Sequence, residues 1–168
     1  MGIQKVDGVS VDRIKDAKDR FSTTFKETAE VADFLVFKEP MLIYIECKST
    51  KKSALQFSNI RDSQWDGLAE KHKIKGVYGY ILVWFYPEDG VNNSYLVPID
   101  ELWKLRATGK KSLSLKDIRD GDINVIPVQG KRQRTYVLYD FSDMFENIKT
   151  KGKLPLSEWF KRPEEEMS

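Results

Sequence analysis

Two acidic side chains and a lysine on successive predicted strands are the clearest candidates for chemistry in this sequence. Glu46 and Lys48 are two residues apart, so on a strand they point to the same face of a sheet. A hairpin turn centred between Glu39 and Pro40 places Asp33 directly opposite Glu46, with Cβ atoms about 5 Å apart. A three-residue loop would shift this pairing by one residue. Because Pro40 fits poorly at the third position of a tight turn, we predict a longer loop with an even number of residues.

Opposed carboxylates in an otherwise apolar hairpin are electrostatically unfavourable. Like charges directly across a sheet destabilise it, and burial raises the pKa of at least one carboxyl group unless positive charge lies nearby. Lys48 supplies one positive charge, and a divalent cation would supply more. Oxygen ligands suit Mg²⁺ or Mn²⁺, which can activate water and stabilise charge on a phosphate while the lysine positions the nucleophile. The alternative is a partly exposed salt-bridge cluster without a catalytic role.

The segments that would position these residues are a mixture of predicted strands and helices. Segments 32–37 and 41–47 are apolar on both faces, as expected for strands near the middle of a covered sheet. Gln64 lies on the inward stripe of a predicted helix over 58–72, an unusual place for an amide without a partner. The order of the predicted strands and helices indicates one α/β or α+β domain with a mixed sheet, and of these we predict an α/β fold whose mixed central sheet is flanked by helices. The other predicted elements are strands at 77–86 and 95–99 and a short helix over 100–106. They are followed by a pair of strands at 123–128 and 135–139 around a basic loop at 130–134, and by a helix through Phe145 and Ile148 that Asp140 would cap.

Length and composition limit the class of protein. A chain of 168 residues with 40% hydrophobic and 32% charged residues is typical of one globular domain. No apolar run approaches the length of about 20 residues that a membrane helix needs, and no signal peptide is expected. The single cysteine, Cys47, excludes an internal disulfide, and the single histidine, His72, excludes a histidine metal cluster. We expect a soluble protein of a reducing compartment, with a structural thiol at Cys47 and a solvated His72 at a helix end.

The charge distribution is uneven although the net charge is only +2. Residues 104–134 carry nine basic side chains against three acidic ones, and residues 46–76 carry seven against four. Three consecutive glutamates at 164–166 bring the total back towards neutrality. A local basic excess indicates a surface for a polyanion, most commonly nucleic acid. The alternative is a solvated, lysine-rich surface.

The acidic pair and the lysine resemble the PD-(D/E)xK nuclease motif: Asp33, then twelve residues, then Glu46-Cys47-Lys48. The segments ADFLVF (32–37), YIECKS (44–49), LQFS (55–58) and IRDSQ (60–64) are similar to Holliday junction resolvases of the RecU and Gram-positive phage type. The resemblance runs from about residue 20 to residue 140. An E-x-K triplet alone is frequent by chance, whereas its combination with Asp33, a serine-rich loop and Gln64 is more specific.

The resemblance implies a restriction-endonuclease-like nuclease core and roles for particular residues. Asp33, Glu46 and the backbone carbonyl of Cys47 would bind Mg²⁺, for which Mn²⁺ would substitute. Lys48 would orient the attacking water, and Gln64 would lie beside the active site. The family usually has proline where this chain has Ala32, and its members begin with a helix that carries a glutamate near the metal. Two alternatives follow for this sequence: it is a shortened form of the family pattern, or Glu27 or Glu30 takes the place of that glutamate.

The resemblance also implies how the chain is organised. The chain would form a single domain over 1–168, with the nuclease core at about 20–140. Residues 1–19 would form a strand or stalk segment, and residues 141–168 a helical extension with an acidic tail.

The expected function is that of a metal-dependent, structure-selective DNA endonuclease. It would resolve Holliday junctions by paired phosphodiester hydrolysis, as a homodimer in the cytoplasm of a bacterial or phage-infected cell. Two alternatives are a non-catalytic DNA-binding protein that keeps the nuclease fold and a restriction-type endonuclease on linear duplex. Trp65, next to Gln64, is a candidate for stacking on a base. The candidate phosphate contacts are Lys51, Lys52, Arg61, Lys110, Lys111, Lys131, Arg132 and Arg134.

Overall fold

A six-stranded mixed sheet forms the centre of the protein. The computed structural model describes residues 2–14, 31–86, 93–132 and 137–160. The strands are β1 (Gly2–Ile3), β2 (Ser10–Arg13), β3 (Phe34–Lys38), β4 (Met41–Thr50), β5 (Ala54–Gln56), β6 (Val77–Phe85), β7 (Asn93–Pro98), β8 (Ser112–Ser114), β9 (Ile126–Pro127), β10 (Gln129–Arg132) and β11 (Val137–Asp140). The main sheet has the order β2-β3-β4-β6-β7-β9, in which β4 and β6 are parallel and the other neighbours antiparallel. The predicted α/β fold with a mixed central sheet is confirmed.

Both faces of this sheet are covered, which explains the continuous apolar character of its central strands. The helices are α1 (Asp62–His72), α2 (Ile99–Ala107), α3 (Leu115–Arg119), α4 (Met144–Lys151) and α5 (Leu156–Trp159). One face packs against α1, α2 and the two-stranded sheet of β5 and β8. The opposite face packs against α4 and the three-stranded sheet β1-β11-β10. The candidate site lies on the face of the sheet that α1 covers, because Glu46 and Lys48 point to that face together with the buried Tyr44.

The β3–β4 hairpin has the predicted register but not the predicted loop. Phe34 pairs with Ile45 and Lys38 pairs with Met41, so the connection is the two-residue turn Glu39-Pro40. The peptide bond between these residues is cis. A cis proline is the residue that the third position of a type VI turn requires, so the longer loop expected from a trans proline was wrong.

The end of the chain pairs differently from the prediction. Strand β11 pairs with β10, which includes Lys131 and Arg132, whereas these residues were expected in a loop. The predicted strand at 123–128 is reduced to β9, which joins the edge of the main sheet beside β7 instead of pairing with β11. Helix α4 begins at Met144, and the carboxylate of Asp140 accepts a hydrogen bond from the N–H of Ser142 (2.9 Å) rather than capping that helix.

Helix α1 also starts later than predicted, at Asp62, after a 3-10 turn over Phe57–Asn59. Its other end is fixed by His72, which is buried, so the expectation of a solvated histidine was wrong. The Nδ1 atom of His72 accepts a hydrogen bond from the N–H of Gly79 on β6 (3.0 Å), and its Nε2 lies 3.0 Å from the carboxylate of Asp100. Burial alone raises the pKa of Asp100, but the contacts with His72 bring it below its ordinary value.

Gly79 allows α1 to approach the sheet closely. A Cβ atom at this position would lie 2.7 Å from the carbonyl oxygen of Leu68 in α1 and 3.3 Å from the Cγ2 of Ile99. Because the nearest atom is helix backbone, it cannot move aside without moving α1. Close packing of α1 in turn sets the distance between Gln64, near its first turn, and the strand that carries Glu46.

Gly79→Ala is therefore expected to lower the free energy of unfolding by about 1–3 kcal/mol, the usual range for overpacking a well-packed interior. Urea denaturation followed by circular dichroism measures the change. The matched control is Gly109→Ala, since Gly109 has open space around it but a positive φ of 91°. The control reports backbone strain without crowding, and only Gly79→Ala should reduce the protection of α1 amides from hydrogen exchange. Equal protection of α1 in the two variants would contradict the packing argument.

The last described segment is tied to the α1 side of the fold. The Nζ of Lys153 donates hydrogen bonds to the carbonyl oxygens of Ile74 (2.7 Å) and Val77 (2.6 Å), just beyond the end of α1. The Trp159 ring is buried against His72, with ring centroids 5.8 Å apart. Part of the predicted helical extension is present as α4 and α5, while the acidic residues 164–166 lie outside the described residues. Among the described helices, none is long and apolar enough to cross a membrane.

Candidate active site

Asp33 lies immediately before β3, where its backbone is held from both sides. Its N–H donates a hydrogen bond to the carbonyl of Ile45 on β4 (2.9 Å), and its own carbonyl accepts one from the N–H of Ile14 (2.8 Å). The Asp33 carboxylate accepts a hydrogen bond from the backbone N–H of Cys47 (2.8 Å). Strand β4 extends past the end of β3. Beyond that end, the N–H of Cys47 donates its hydrogen bond to the Asp33 side chain instead of to a strand backbone. The carboxylate is thereby fixed opposite Glu46.

Glu46 is buried, with 5% of its surface exposed, and has two side-chain partners. The Nε2 of Gln64 donates a hydrogen bond to Oε1 of Glu46 (2.5 Å), and the Nζ of Lys48 lies 3.0 Å from the same oxygen. Gln64 is itself fixed, because its Oε1 accepts a hydrogen bond from the N–H of Arg61 (3.0 Å). The structure therefore brings together Asp33, Glu46, Lys48 and Gln64, the four side chains predicted as the catalytic group.

The electrostatics of this group are unfavourable for a bare carboxylate pair. Burial, followed by the negative charge of Asp33, raises the pKa of Glu46 from 4.5 to about 7. The charges of Lys48 and Arg61 act in the opposite direction but do not compensate for burial. Near neutral pH, Glu46 is therefore divided between its charged and neutral forms, and an additional positive charge beside it would favour the ionised form.

Cys47 contributes its backbone rather than its thiol. Its side chain points to the opposite face of β4, among the apolar residues packed against α4 and β11, and burial raises the pKa of the thiol. A protonated, half-buried thiol is a poor nucleophile. In a strand, the N–H and C=O of one residue point to the same side. Because the N–H of Cys47 is directed at Asp33, its carbonyl oxygen faces the same side of β4.

The donor set fits a hard divalent cation. Among the described residues, no three or more His, Cys, Asp and Glu side chains are grouped so as to hold a metal ion. The oxygen donors available are the carboxylates of Asp33 and Glu46 and the carbonyl of Cys47, and ligands of this type suit Mg²⁺ or Mn²⁺. Glu27 and Glu30, the candidates for a further carboxylate, lie outside the described residues.

The predicted phosphate contacts fall into separate places. Lys51 and Lys52 are exposed in the turn after β4, and Arg61 is exposed directly before α1. Lys110 and Lys111 precede β8 and line the same groove as Arg61. Lys131 and Arg132 belong to β10, in the layer on the opposite face of the main sheet, so the structure does not bring them together with Glu46. Arg134 lies outside the described residues.

Trp65 is not available to stack on a base, because its side chain is buried with 2% of its surface exposed. Its ring instead packs edge-to-face against Phe57 and Trp103, with centroids 5.3 and 5.4 Å away. The guanidinium of Arg106 lies over the rings of Trp65 and Trp103, 4.8 Å from the Trp65 ring centroid. Sequence reasoning missed Arg106, because its contact with Trp65 joins residues 41 positions apart and has no local pattern.

The fold and the site together define a nuclease of the PD-(D/E)xK class, with Asp33 immediately before β3 and with Glu46 and Lys48 within the adjacent strand β4. The chain belongs to the RecU family, since the family model described as "Recombination protein U" matches residues 3–139. This confirms the resemblance seen in the sequence. Among solved structures, Hjc, a Holliday junction resolvase from Archaeoglobus fulgidus, is 14% identical with a TM-score of 0.42, covering 65% of this chain and 77% of that chain. A comparison with curated proteins gives no significant match.

Proposed function

We propose that this chain is a metal-dependent endonuclease that resolves Holliday junctions by paired phosphodiester hydrolysis. The observation that carries the proposal is the buried Glu46, which shares one face of the sheet with Asp33 and contacts Lys48 and Gln64. Membership of the RecU family supports DNA as the substrate. A group held in this way is unfavourable for stability and is expected where function requires it.

The side chains divide the work of hydrolysis between them. Asp33, Glu46 and the carbonyl of Cys47 would hold Mg²⁺, with Mn²⁺ as a substitute; the bound cation would activate water and stabilise negative charge on the phosphate. The ammonium of Lys48, fixed beside Glu46, would orient the attacking water towards phosphorus. Gln64 holds the Glu46 carboxylate in one orientation. In the reaction, the water oxygen bonds to phosphorus as the bond between phosphorus and the leaving oxygen breaks.

Paired cleavage of a junction requires two active sites, one for each strand that is cut. A homodimer with a two-fold axis supplies both sites to a four-way junction, which can have the same symmetry. We therefore propose that the working form is a dimer on branched DNA.

The direct test uses a synthetic four-way junction and a linear duplex with the same arm sequences. Wild-type protein with Mg²⁺ is expected to cut the junction at paired positions and to leave the duplex intact, and Mn²⁺ is expected to support the same pattern. Chelation by EDTA is expected to abolish cutting, because the carboxylate pair then lacks its cation. Denaturing gel electrophoresis with each strand labelled in turn gives the positions of the cuts.

Two other results would lead to different functions. Equal cutting of the linear duplex would contradict junction selectivity and indicate a restriction-type or general endonuclease. Tight, salt-sensitive DNA binding with no cutting in Mg²⁺ or Mn²⁺ would contradict the enzyme and indicate a DNA-binding protein that keeps the nuclease fold.

A further inference from the structure

A basic groove opens at the start of α1. It has a volume of about 510 Å³ and lies between the 3-10 turn that precedes α1 and the segment that joins α2 to β8. Only one of its lining side chains is acidic, that of Asp62. The groove is therefore electropositive, and its cationic side chains are all exposed. They are Arg61, Arg106, Lys110 and Lys111.

This basic groove is continuous with the active site through Arg61. The Arg61 N–H donates a hydrogen bond to the side chain of Gln64, which in turn donates one to Glu46. Arg61 and Asp62 also place the N-terminus of the 11-residue helix α1 at the wall of the groove. The N–H groups of a helix N-terminus favour anions, which adds to the effect of the side chains.

Aromatic rings hold Arg106 in place, and no carboxylate of the described residues pairs with it. Its guanidinium lies 4.8 Å from the ring centroid of Trp65 and 5.1 Å from that of Trp103. Trp103 is itself fixed, because its Nε1 donates a hydrogen bond to the carbonyl oxygen of Trp65 (3.4 Å). An arginine stacked on aromatic rings keeps its N–H donors directed outward, and less side-chain entropy is lost when an anion binds.

The other cations of the basic groove differ in their pairing. Lys110 forms an ion pair with Asp117 and lies 3.9 Å from Asp122. Within the described part of the chain, Arg61, Arg106 and Lys111 form no ion pair with a carboxylate. Cations without acidic partners, next to a site built for phosphodiester chemistry, fit a negatively charged backbone.

We propose that the basic groove binds the DNA backbone beside the phosphate that is cut, and that Arg106 is its fixed anchor. This inference rests on the proposed function, since it takes the ligand to be the DNA strand that enters the active site. Arg61 contacts the phosphates nearer to Glu46, and Arg106 and Lys111 contact those further along the strand. A phosphate contact of this kind positions the DNA without reading its sequence.

Arg106→Gln is expected to weaken binding of a labelled four-way junction about tenfold near physiological salt, because one charge-assisted phosphate contact is lost. The slope of log Kd against log salt concentration is expected to fall by about one. Fluorescence anisotropy measures both quantities in EDTA, so that no DNA is cut. Lys111→Gln is expected to have an effect in the same direction, and the double variant a larger one.

The matched control is Lys104→Gln, which removes the same charge from an exposed position of the same helix outside the basic groove. Circular dichroism checks that each variant is folded. A loss of affinity and slope with Arg106→Gln but not with Lys104→Gln supports the proposal. Equal losses in the two variants would show a general charge effect, and no loss in either would show that the groove is not occupied. Both results would overturn the proposal.

A second measurement locates the contact on the DNA. A neutral methylphosphonate is placed in turn at each phosphate along the junction strands on both sides of the branch point, and the binding affinity is compared for wild type and Arg106→Gln. At one position close to the active site, the methylphosphonate is expected to weaken DNA binding by wild type but not by Arg106→Gln. If the effects of the methylphosphonate and of Arg106→Gln were additive at every position, the assignment would be overturned. Because these are binding measurements, they remain informative if wild type fails to cut the junction. Conversely, suppose that wild type cuts the junction while Arg106→Gln and Lys104→Gln bind it equally well. This result would refute the proposed role of the basic groove and leave the proposed function standing.

Discussion

Asp33→Asn and Glu46→Gln are each expected to lower the rate of junction cleavage by about 1000-fold or more while leaving DNA binding intact or stronger. Each change keeps the size of the side chain but removes the charge that would hold the cation. Loss of a single electrostatic contact to the transition state already costs 10²–10³-fold in other enzymes, and loss of a metal ligand removes more than one such contact. Binding is expected to persist because a negative charge facing the phosphates disappears.

Single-turnover cleavage with saturating protein measures this effect, since it separates chemistry from product release. Anisotropy in EDTA reports binding of the same variants. The matched control is Glu39→Gln, which removes a carboxylate from the same hairpin at its exposed turn. Full activity of Asp33→Asn or Glu46→Gln would contradict their roles as metal ligands. A tenfold loss shared by Glu39→Gln would indicate a general effect of charge on the protein.

The relation between the two carboxylates was predictable from the sequence because it depends on local geometry. Side chains alternate along a strand, and the hairpin register is fixed once the centre of the turn is known. Asp33 and Glu46 therefore lie opposite each other whether the loop has two residues or four. The turn itself was not predictable in this way, because the isomer of the bond before Pro40 does not change the pairing of apolar residues.

Contacts between distant, short elements were not predictable. Strand β5 pairs with β8 over only three residues, and the pairing brings Gln56 opposite Ser112. Gln56 lines the basic groove together with Lys111, which precedes Ser112, so neither the groove nor the role of Arg106 has a local signal in the sequence. His72 was mispredicted for a related reason: its partners, Gly79 and Asp100, come from two other elements, and only the tertiary structure buries its ring.

The same carboxylate that serves the site is expected to reduce the stability of the metal-free protein. The folded-state pKa of Glu46 is about 7, above the ordinary value of 4.5. Between these values the folded state keeps a proton that the unfolded state releases. The stability that this proton confers is present at low pH and is lost as the pH rises through about 7. Each unit of pKa difference corresponds to about 1.4 kcal/mol, so the loss amounts to about 3 kcal/mol at most.

Glu46→Gln removes this titration and is therefore expected to be more stable than wild type at pH 8 in EDTA, by up to about 3 kcal/mol. At pH 5 the two proteins are expected to be similar in stability, because wild-type Glu46 is then neutral. Urea denaturation across this pH range measures the difference, with Glu39→Gln as the control that should show none. Asp33→Asn is expected to shrink the pH-dependent loss, since the charge of Asp33 contributes to the raised pKa of Glu46.

Added Mg²⁺ separates this explanation from a simple packing effect of glutamine. A ligand that binds the folded state stabilises it by mass action, so Mg²⁺ should restore the stability of wild type at pH 8. It should not stabilise Glu46→Gln to the same extent, because the amide lacks the charge that binds the ion. A stability difference that stays constant with pH, or an equal response of both proteins to Mg²⁺, would contradict Glu46 as an ionising ligand. The predicted pattern instead links the cost of burying Glu46 to the ion that the reaction needs.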